Sequence, residues 1–418
     1  MSQSNESCLK SQKILNDPVY GFITIPSELI FAIIDHPYFQ RLRRIRQLGL
    51  TDFVYPGALH TRFHHAIGAM HLMSITLDNL RNKGTEISDE EYEAALIAIL
   101  LHDIGHGPFS HALEYSLLEG IPHEKLSIIT IEVLNREFGG KLDLALQIFK
   151  NQYPRKFLNQ LVSSQLDIDR LDYLQRDCFF TGVSEGTIGA DRIIKMMAVH
   201  EEQLVIEEKG IYSIENFLSA RRLMYWQVYL HKTTVSAEKM LINLITRAKN
   251  QARAGATFPV SEEFEFFLKN QVTLSDFLEN PQILQKFLSL DDYDIWGAIK
   301  LWKNNPDYIL ANISQMFLTR NLFKINLVNE PFSEDEIQDQ IQKTQQRLGV
   351  SEEDLPYFFS YGKVSNYGYL ATERINILTK KGNMIDVALA ADLPNIQVMS
   401  KIVEKFYVCK AKSLILPQ

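Results

Sequence analysis

Cysteine is scarce. The three residues, Cys8, Cys178 and Cys409, lie far apart and show no CxxC spacing. This argues against a secreted disulfide scaffold and against a structural zinc knuckle. A chain of 418 residues can bury a core without covalent staples. Long apolar runs are also missing: the longest, Ala94 to Leu101, falls far short of the ~20 residues a membrane-spanning helix needs. The N-terminal MSQSNESCLKSQK lacks the apolar centre of a signal peptide, so the chain reads as cytoplasmic and free of the membrane. Positive charge is not in excess. The 43 basic and 51 acidic residues leave a net charge of −8, a field that does not attract nucleic acid. Phosphates could be held only by local cations or a metal. No repeat, collagen-like tract or heptad array is present. What remains is an ordinary globular composition, 46% hydrophobic and 22% charged.

The pattern predicts a mostly α fold: a multi-helix body with a smaller mixed α/β C-terminal lobe. Residues 1–12 read as disordered, 13–255 as the body and 256–418 as the lobe. Thr61 to Leu80 places Phe63, Ile67, Met70, Met73 and Leu77 at helical spacing. Ser88 and Glu91 form a capping-box pattern ahead of the apolar run that ends at Leu101. A break at Gly105, Gly107 and Pro108 follows, and a further helix is expected near Phe109. Helices are also expected over Leu126 to Glu137, Phe157 to Arg176 and Ile214 to Lys232. Beyond residue 255 come short helices, a polar Gln-rich stretch from Asp335 to Arg347, and a hairpin turning at Lys380-Lys381-Gly382-Asn383.

Eight of the 11 histidines fall between residues 60 and 123. A single histidine is ordinarily a core or surface imidazole; eight in one segment, around a His-Asp dipeptide, point to a metal. His102 and Asp103 stand at the end of an apolar helix, where the turn can aim neighbouring side chains at one point. His65 and Asp169 are candidate partners from other helices, and imidazole with carboxylate suits a borderline divalent ion. A second group comprises His106, His111, Glu114 and the His123-Glu124 pair. His111 and Glu114 are spaced i, i+3, so the carboxylate can orient the imidazole as a general acid. The third is D-x-D-R-x-D-Y from Asp167 to Tyr173. On a helix Asp169, Tyr173 and Asp177 share one face, while Arg170 points about 100° away yet can reach a phosphate. The run Arg41, Arg43, Arg44 and Arg46, with Arg62 beyond, reads first as a solvated face, some of whose members could grip an anion. Arg221, Arg222, Tyr225, Tyr229, His231 and Lys232 form another polar-aromatic helix face.

Together these segments resemble the HD-domain phosphohydrolase superfamily, and within it the deoxynucleoside triphosphate triphosphohydrolases of the SAM-and-HD-domain type. The matching text is NDPVYGFI, HPYFQRLRRIRQLG, YPGALHTRFHHAIGAMHL, LLHDIGHGPFSHALE, HEK, LDIDRLDYLQRDCFFTG and, later, RNLFK. It covers residues 13 to 255 strongly and does not extend to a sterile-alpha-motif domain. The resemblance implies four metal ligands, His65, His102, Asp103 and Asp169, and a catalytic, phosphate-contacting set of His106, His111, Glu114 and His123. It implies triphosphate grips at Arg62, Arg170 and Arg221, and a deoxyribose pocket of Gln47, Leu48, Tyr173, Asp177 and Tyr229. Leu48 and Tyr173 would leave no room for a 2′-hydroxyl. His64 departs from the family, whose members often carry an acid there.

The expected activity is metal-dependent hydrolysis of a deoxynucleoside triphosphate to deoxynucleoside and inorganic triphosphate. One divalent ion (Mn, Fe, Co, Ni or Zn) would serve each active site, with Mg accompanying the nucleotide. The rivals are an HD phosphohydrolase acting on another nucleotide phosphoester and a nucleotide-sensing protein that does not cleave. The resemblance further implies a homotetramer or homodimer with a guanine nucleotide effector at Lys13, Asp35, Gln40, Arg43 and Arg320. A neighbouring second pocket matches at Asn16, Arg192, Lys209 and Lys232, but Glu207 replaces a basic residue there.

Overall fold

The helical periodicity of Arg62–Asn82 puts Phe63, Ile67, Met70, Met73 and Leu77 on its buried side, and this helix forms the axis of the first core. The structure, a computed structural model, describes residues 13–114, 116–118, 120–367, 374–391 and 402–416; the N-terminal dozen expected to be disordered lie outside them. Two helices lie against the axis: Asp89–Leu101, buried from Ala94 through Leu101, and Ile168–Thr181. Ser88 caps the first of these as expected, with its side chain accepting from Glu91 N while Glu91 reaches back to Ser88 N at 2.9 Å. His64 closes a capping box on the axis helix, its Nδ1 accepting from Thr61 N at 3.2 Å.

The chain is mostly α, as the pattern predicts, with small sheets at its periphery. A hairpin of Ile14–Asp17 and Gly21–Thr24 closes one side. Met197–His200 and Gln203–Glu207 pair antiparallel, and the latter then pairs in parallel with Asn376–Leu378, which turns back antiparallel onto Met384–Asp386. The C-terminal hairpin is therefore present as expected, but it joins a sheet of the body: Ile375, Ile377 and Val387 belong to the first core. A second core lies between the Lys232–Arg253 helix and the helices Glu262–Lys269, Asp292–Trp302 and Tyr308–Leu318, with a sheet ordered Lys324–Val328, Ile402–Lys410, Phe359–Tyr367. The Gln-rich stretch is a capped helix, Glu334–Leu348, resting on Ile337, Thr344 and Leu348. Cys178 and Cys409 are both buried and free. Among the described residues no helix is long and apolar enough to cross a membrane.

Two expected helices divide. Phe157 to Arg176 is Lys156–Val162 followed by Ile168–Thr181, because buried Asp167 caps the second, accepting from Arg170 N at 2.7 Å and from Ser164 N at 2.8 Å. A buried side-chain acceptor outweighs continued periodicity here. Ile214 to Lys232 is Ile211–Met224, a π-helical turn over Tyr225–Tyr229, and a new helix from Lys232.

Where the axis crosses Ile168–Thr181, residue 68 is glycine. A Cβ there would stand 2.0 Å from an Arg176 guanidinium nitrogen and 2.2 Å from Asp172 Oδ1. Both groups are fully buried and paired, so neither can yield without losing its partner. Gly68→Ala is expected to lower stability by about 2–4 kcal/mol, the range of overpacking and broken buried pairs. A chemical denaturation midpoint within error of wild type would show that the packing relaxes without loss.

Candidate active site

The apolar helix ending at Leu101 delivers His102 and Asp103 into a turn whose free backbone carbonyls are taken up by side chains. Ser127 Oγ donates to His102 O at 2.8 Å and accepts from Gly105 N at 3.0 Å. Gly105 permits this approach, since a Cβ would lie 2.2 Å from Ser127 N and 2.5 Å from His123 O. Arg41 secures the other side, donating to His106 O at 2.8 Å and to Leu290 O at 2.6 Å. The expectation of a solvated arginine face fails at this residue, which is 1% exposed. Its partners are carbonyls from distant parts of the chain.

Against that turn the axis helix sets His65, and the first turn of Ile168–Thr181 sets Asp169. His65 Nε2 lies 3.0 Å from Asp169 Oδ1 and 3.3 Å from His102 Nε2. His102 Nε2 lies 3.3 Å from Asp103 Oδ1 and 3.5 Å from Asp169 Oδ1. The remote nitrogens are spoken for: His65 Nδ1 donates to Asp172 Oδ2 at 2.8 Å and His102 Nδ1 to Ile99 O at 2.6 Å. Both imidazoles therefore turn Nε2 toward the carboxylates, the nitrogen a metal-binding histidine presents once its proton has left. Burial alone would depress the His65 pKa, but hydrogen bonds to Asp169 and Asp172 raise it to about 10. Burial likewise works against the Asp169 charge, yet His102 and His65 hold its carboxyl below the usual range. His65, His102 and Asp169 gather their donor atoms as one set that could hold a divalent cation, while Asp103 touches that set through His102 and itself groups with His106 and His123; the chemistry of these donors does not distinguish among Mn, Fe, Co, Ni and Zn.

The second group is assembled beside it. His106 Nε2 lies 3.2 Å from Asp103 Oδ1, and its ring stacks on His123 with centroids 3.7 Å apart. Burial, helped by Arg62, pushes the His106 pKa down, so the ring is neutral near pH 7. Glu114 Oε2 lies 3.3 Å from His123 Nδ1, and Glu124 reaches the opposite nitrogen at 3.5 Å. Glu114 thus backs His123, where its spacing pointed to His111; the His111 side chain lies outside the described residues.

Both groups open on a cavity of about 430 Å³. Arg62, ion-paired to Asp103, and Arg170, ion-paired to Asp167, line the metal end together with Asp169. Tyr173 and Asp177 follow along the same helix face, with Gln47, Leu48 and Tyr229 across from them. Asp177 is held on both oxygens, by His60 Nε2 at 2.8 Å and by the Tyr229 hydroxyl at 2.7 Å. The buried Gln47 Oε1 has no hydrogen-bond partner. Arg221 does not line the cavity; it is buried behind Tyr225, 5.9 Å from the ring centre, and its Nε and Nη1 make no hydrogen bond. Tyr225 and Tyr229, the two ends of the π-helical turn, both line the cavity.

Sequence reasoning missed the groups behind these residues. Asp172 and Arg176 join at 2.9 Å, and Arg176 reaches Asp17 at 2.7 Å. Asp172 stood in the recognised motif, and its i, i+4 spacing to Arg176 was the available signal. His60, Arg41 and Glu238 carried none.

The proposed effector residues lie elsewhere. Arg43 Nε donates to Gln40 Oε1 at 2.8 Å, its guanidinium over the Phe63 ring. Lys13 stands over Phe31 at 5.0 Å, and Asp35 is exposed at the end of Glu28–Asp35. Arg320 donates instead to Phe53 O at 2.7 Å. In the neighbouring group Glu207 is neutralised by Lys83 at 2.5 Å and Lys209 at 2.7 Å. Arg192 is bonded to Ser213, Asn16 lies in the N-terminal hairpin and Lys232 is exposed.

The pattern of the HD domain family matches residues 62–177, and that of the HD associated region matches 188–258. The uncharacterized protein YwfO of Bacillus subtilis is 35% identical over 76% of this chain and 72% of its own length. The deoxynucleoside triphosphate triphosphohydrolase SAMHD1 homolog of Dictyostelium discoideum is 31% identical over 77% of this chain and 63% of its own. A crystal structure of a phosphohydrolase from Bacteroides thetaiotaomicron superposes with a TM-score of 0.91 at 51% identity, covering 96% of this chain and 99% of that one. The converging His-Asp donors, the sequence relatives and the shared fold place this chain in the HD-domain phosphohydrolase family.

Proposed function

We propose that this protein hydrolyses deoxynucleoside triphosphates at the α-phosphate, releasing deoxynucleoside and intact triphosphate. The observation that carries the reading is one cavity joining a divalent-metal donor set, a cationic end at Arg62 and Arg170, and a polar-aromatic end at Gln47, Tyr173, Asp177 and Tyr229. The named activity of the Dictyostelium relative supports it. In this reading Arg62 and Arg170 hold the phosphates from the cavity wall and Arg221 draws them from behind. Gln47 and Asp177 hydrogen-bond the 3′-hydroxyl, one carbonyl or carboxylate oxygen accepting its single proton, while Leu48 and Tyr173 close the space a 2′-hydroxyl would need. Water oxygen joins the α-phosphorus, the bond from phosphorus to O5′ breaks, and O5′ takes a proton. A divalent ion held by His65, His102, Asp103 and Asp169 supplies Lewis-acid polarisation of the phosphoryl group and acidifies water. His106, kept neutral, can accept a hydrogen bond beside that set.

The proton donor to O5′ is His111, one helical turn from Glu114. A second reading gives this role to His123, because that ring lines the cavity and Glu114 backs it. The two are separable. His111→Ala should lower turnover by about 10²–10⁴, the usual worth of a general acid. Should His123→Ala do so while His111→Ala does not, the acid is His123.

The His102→Ala, Asp103→Ala double variant should lose its divalent ion by elemental analysis. Stoichiometric metal in that variant would remove both residues from the ligand set. Chromatography of the products should show triphosphate as the first phosphate species; diphosphate or monophosphate would relocate the cleavage and favour another nucleotide phosphoester as substrate.

Regulation belongs to the same reading: a homotetramer or homodimer whose activity rises with a guanine nucleotide bound near Lys13, Asp35, Gln40, Arg43 and Arg320. Glu207, already held by two lysines, weakens the second pocket toward a triphosphate. GTP should raise the rate on another deoxynucleotide, and Asp35→Ala with Arg43→Ala should abolish the rise. A monomer by light scattering, indifferent to GTP, would overturn the regulatory part alone.

A further inference from the structure

One carboxyl group in the cavity has no part in the reading above. Glu238 lies on the Lys232–Arg253 helix and lines the same cavity as Arg62, Asp169 and Tyr229. That helix supplies no metal donor and none of the three arginines. It packs on the Thr51–Phe53 turn, and Thr51 and Gly49 line the cavity with Glu238. The side chain makes no hydrogen bond or ion pair with any described residue, although nearly every other acid in the site is paired. Burial pushes its carboxyl up to about 7, eased only by the neighbouring Lys239. Its helix begins just after Tyr229 and Leu230, which places Glu238 with the end of the cavity that Tyr229 marks and not with the helices that carry the metal donors.

The cavity has a direction. Asp169 and Asp177 lie eight residues apart on one helix face, ~12 Å along its axis. Metal donors and arginines occupy the Asp169 end. Asp177, bonded to Tyr229, marks the sugar end, and Leu230 follows Tyr229 directly on the cavity wall. A nucleotide with its phosphates at the first end and its deoxyribose at the second carries its base toward Leu230, Thr51 and Glu238.

We propose that Glu238 is the base-reading residue of this cavity and that it selects guanine. The inference rests on the deoxynucleotide reading above. Guanine presents two adjacent donors, N1–H and the N2 amino group, which a carboxylate accepts with its two oxygens. Adenine and cytosine each set one donor beside one acceptor. Thymine sets one donor between two carbonyl oxygens. Against a carboxylate each of these three leaves an acceptor facing an acceptor, and the apolar Leu230 and Phe109 limit the water that could relieve it.

The test is kcat/KM for dGTP, dATP, dCTP, dTTP and dITP, which lacks the N2 amino group, on the metal-loaded protein and on Glu238→Gln. Wild type should favour dGTP and disfavour dITP by about tenfold, the worth of one charge-assisted hydrogen bond. In Glu238→Gln the dGTP to dATP ratio should fall by about 10- to 100-fold. The gap between dGTP and dITP should close. Equal wild-type rates on dGTP and dITP would overturn the assignment with no variant involved, and so would an unchanged base ranking in Glu238→Gln. Deoxynucleotide hydrolysis without base preference defeats this inference alone. No hydrolysis of any deoxynucleotide defeats the proposed function and this inference together.

Discussion

The chain of buried charge from His65 through Asp172 and Arg176 to Asp17 is the interaction on which the rest of the site depends. Arg176 and Asp172 are 0% exposed, so each ion has given up its hydration and keeps its charge only through its partners. Burial raises the Asp172 pKa, but Arg176 first and His65 next bring it down to about 2. The carboxylate is therefore ionised at any physiological pH, and it holds His65 in the tautomer that directs Nε2 inward. Arg176 anchors that carboxylate and ties it to the N-terminal hairpin. Such a network adds little net stability over an apolar core of equal shape, while losing one member costs about 3–5 kcal/mol. Its value is orientation: a ring and two helices are fixed relative to one another by groups that have no alternative partners.

A second constraint comes from the other core. Asp292, in the first turn of Asp292–Trp302, accepts from Arg46 N at 2.8 Å and Phe109 N at 2.9 Å. Asp291 pairs with Arg44, and Leu290 O takes Arg41. Three consecutive residues of the second core thus fasten both the arginine-rich segment before Gln47 and the loop after His106. The cavity lies along this seam: residues beyond 255 line none of its wall, yet they fasten two of the segments that do.

The convergence of His102 and Asp169 was legible in the sequence because each stands in a local pattern. His102 and Asp103 sit at the end of an apolar run, and Asp169 sits in a motif whose helical phase puts it with Tyr173 and Asp177 on one face. The axis helix and the capping box at Ser88 were legible for the same reason. Arg41 was not, since its burial depends on Leu290, 249 positions away. Neither was the break at residue 163, where Asp167 ends one helix and starts another against an unbroken apolar periodicity. The π turn at Tyr225–Tyr229, which carries the hydroxyl that meets Asp177, leaves no trace in spacing. Glu114 shows what local spacing leaves out: i, i+3 spacing pointed to His111, whose side chain lies outside the described residues, and a ring from the following helix, His123, meets the same carboxylate.

A protein with net charge −8 that binds a triphosphate must do so against its own field, so the local arrangement of arginines decides. Arg62 and Arg170 are each already bound to a carboxylate, Asp103 and Asp167. These pairs fix the two guanidinium groups but also neutralise part of what they offer an anion. Arg221 differs. It is 6% exposed, with Nε and Nη1 making no hydrogen bond. An unsatisfied buried guanidinium costs more than any exposed one, and such a cost persists in a fold when a ligand removes it. The guanidinium with the most unspent hydrogen bonding therefore lies against Tyr225 and outside the cavity lining. In the proposed reading its charge acts on an anion through the turn that carries Tyr225, the same turn that carries Tyr229 to Asp177.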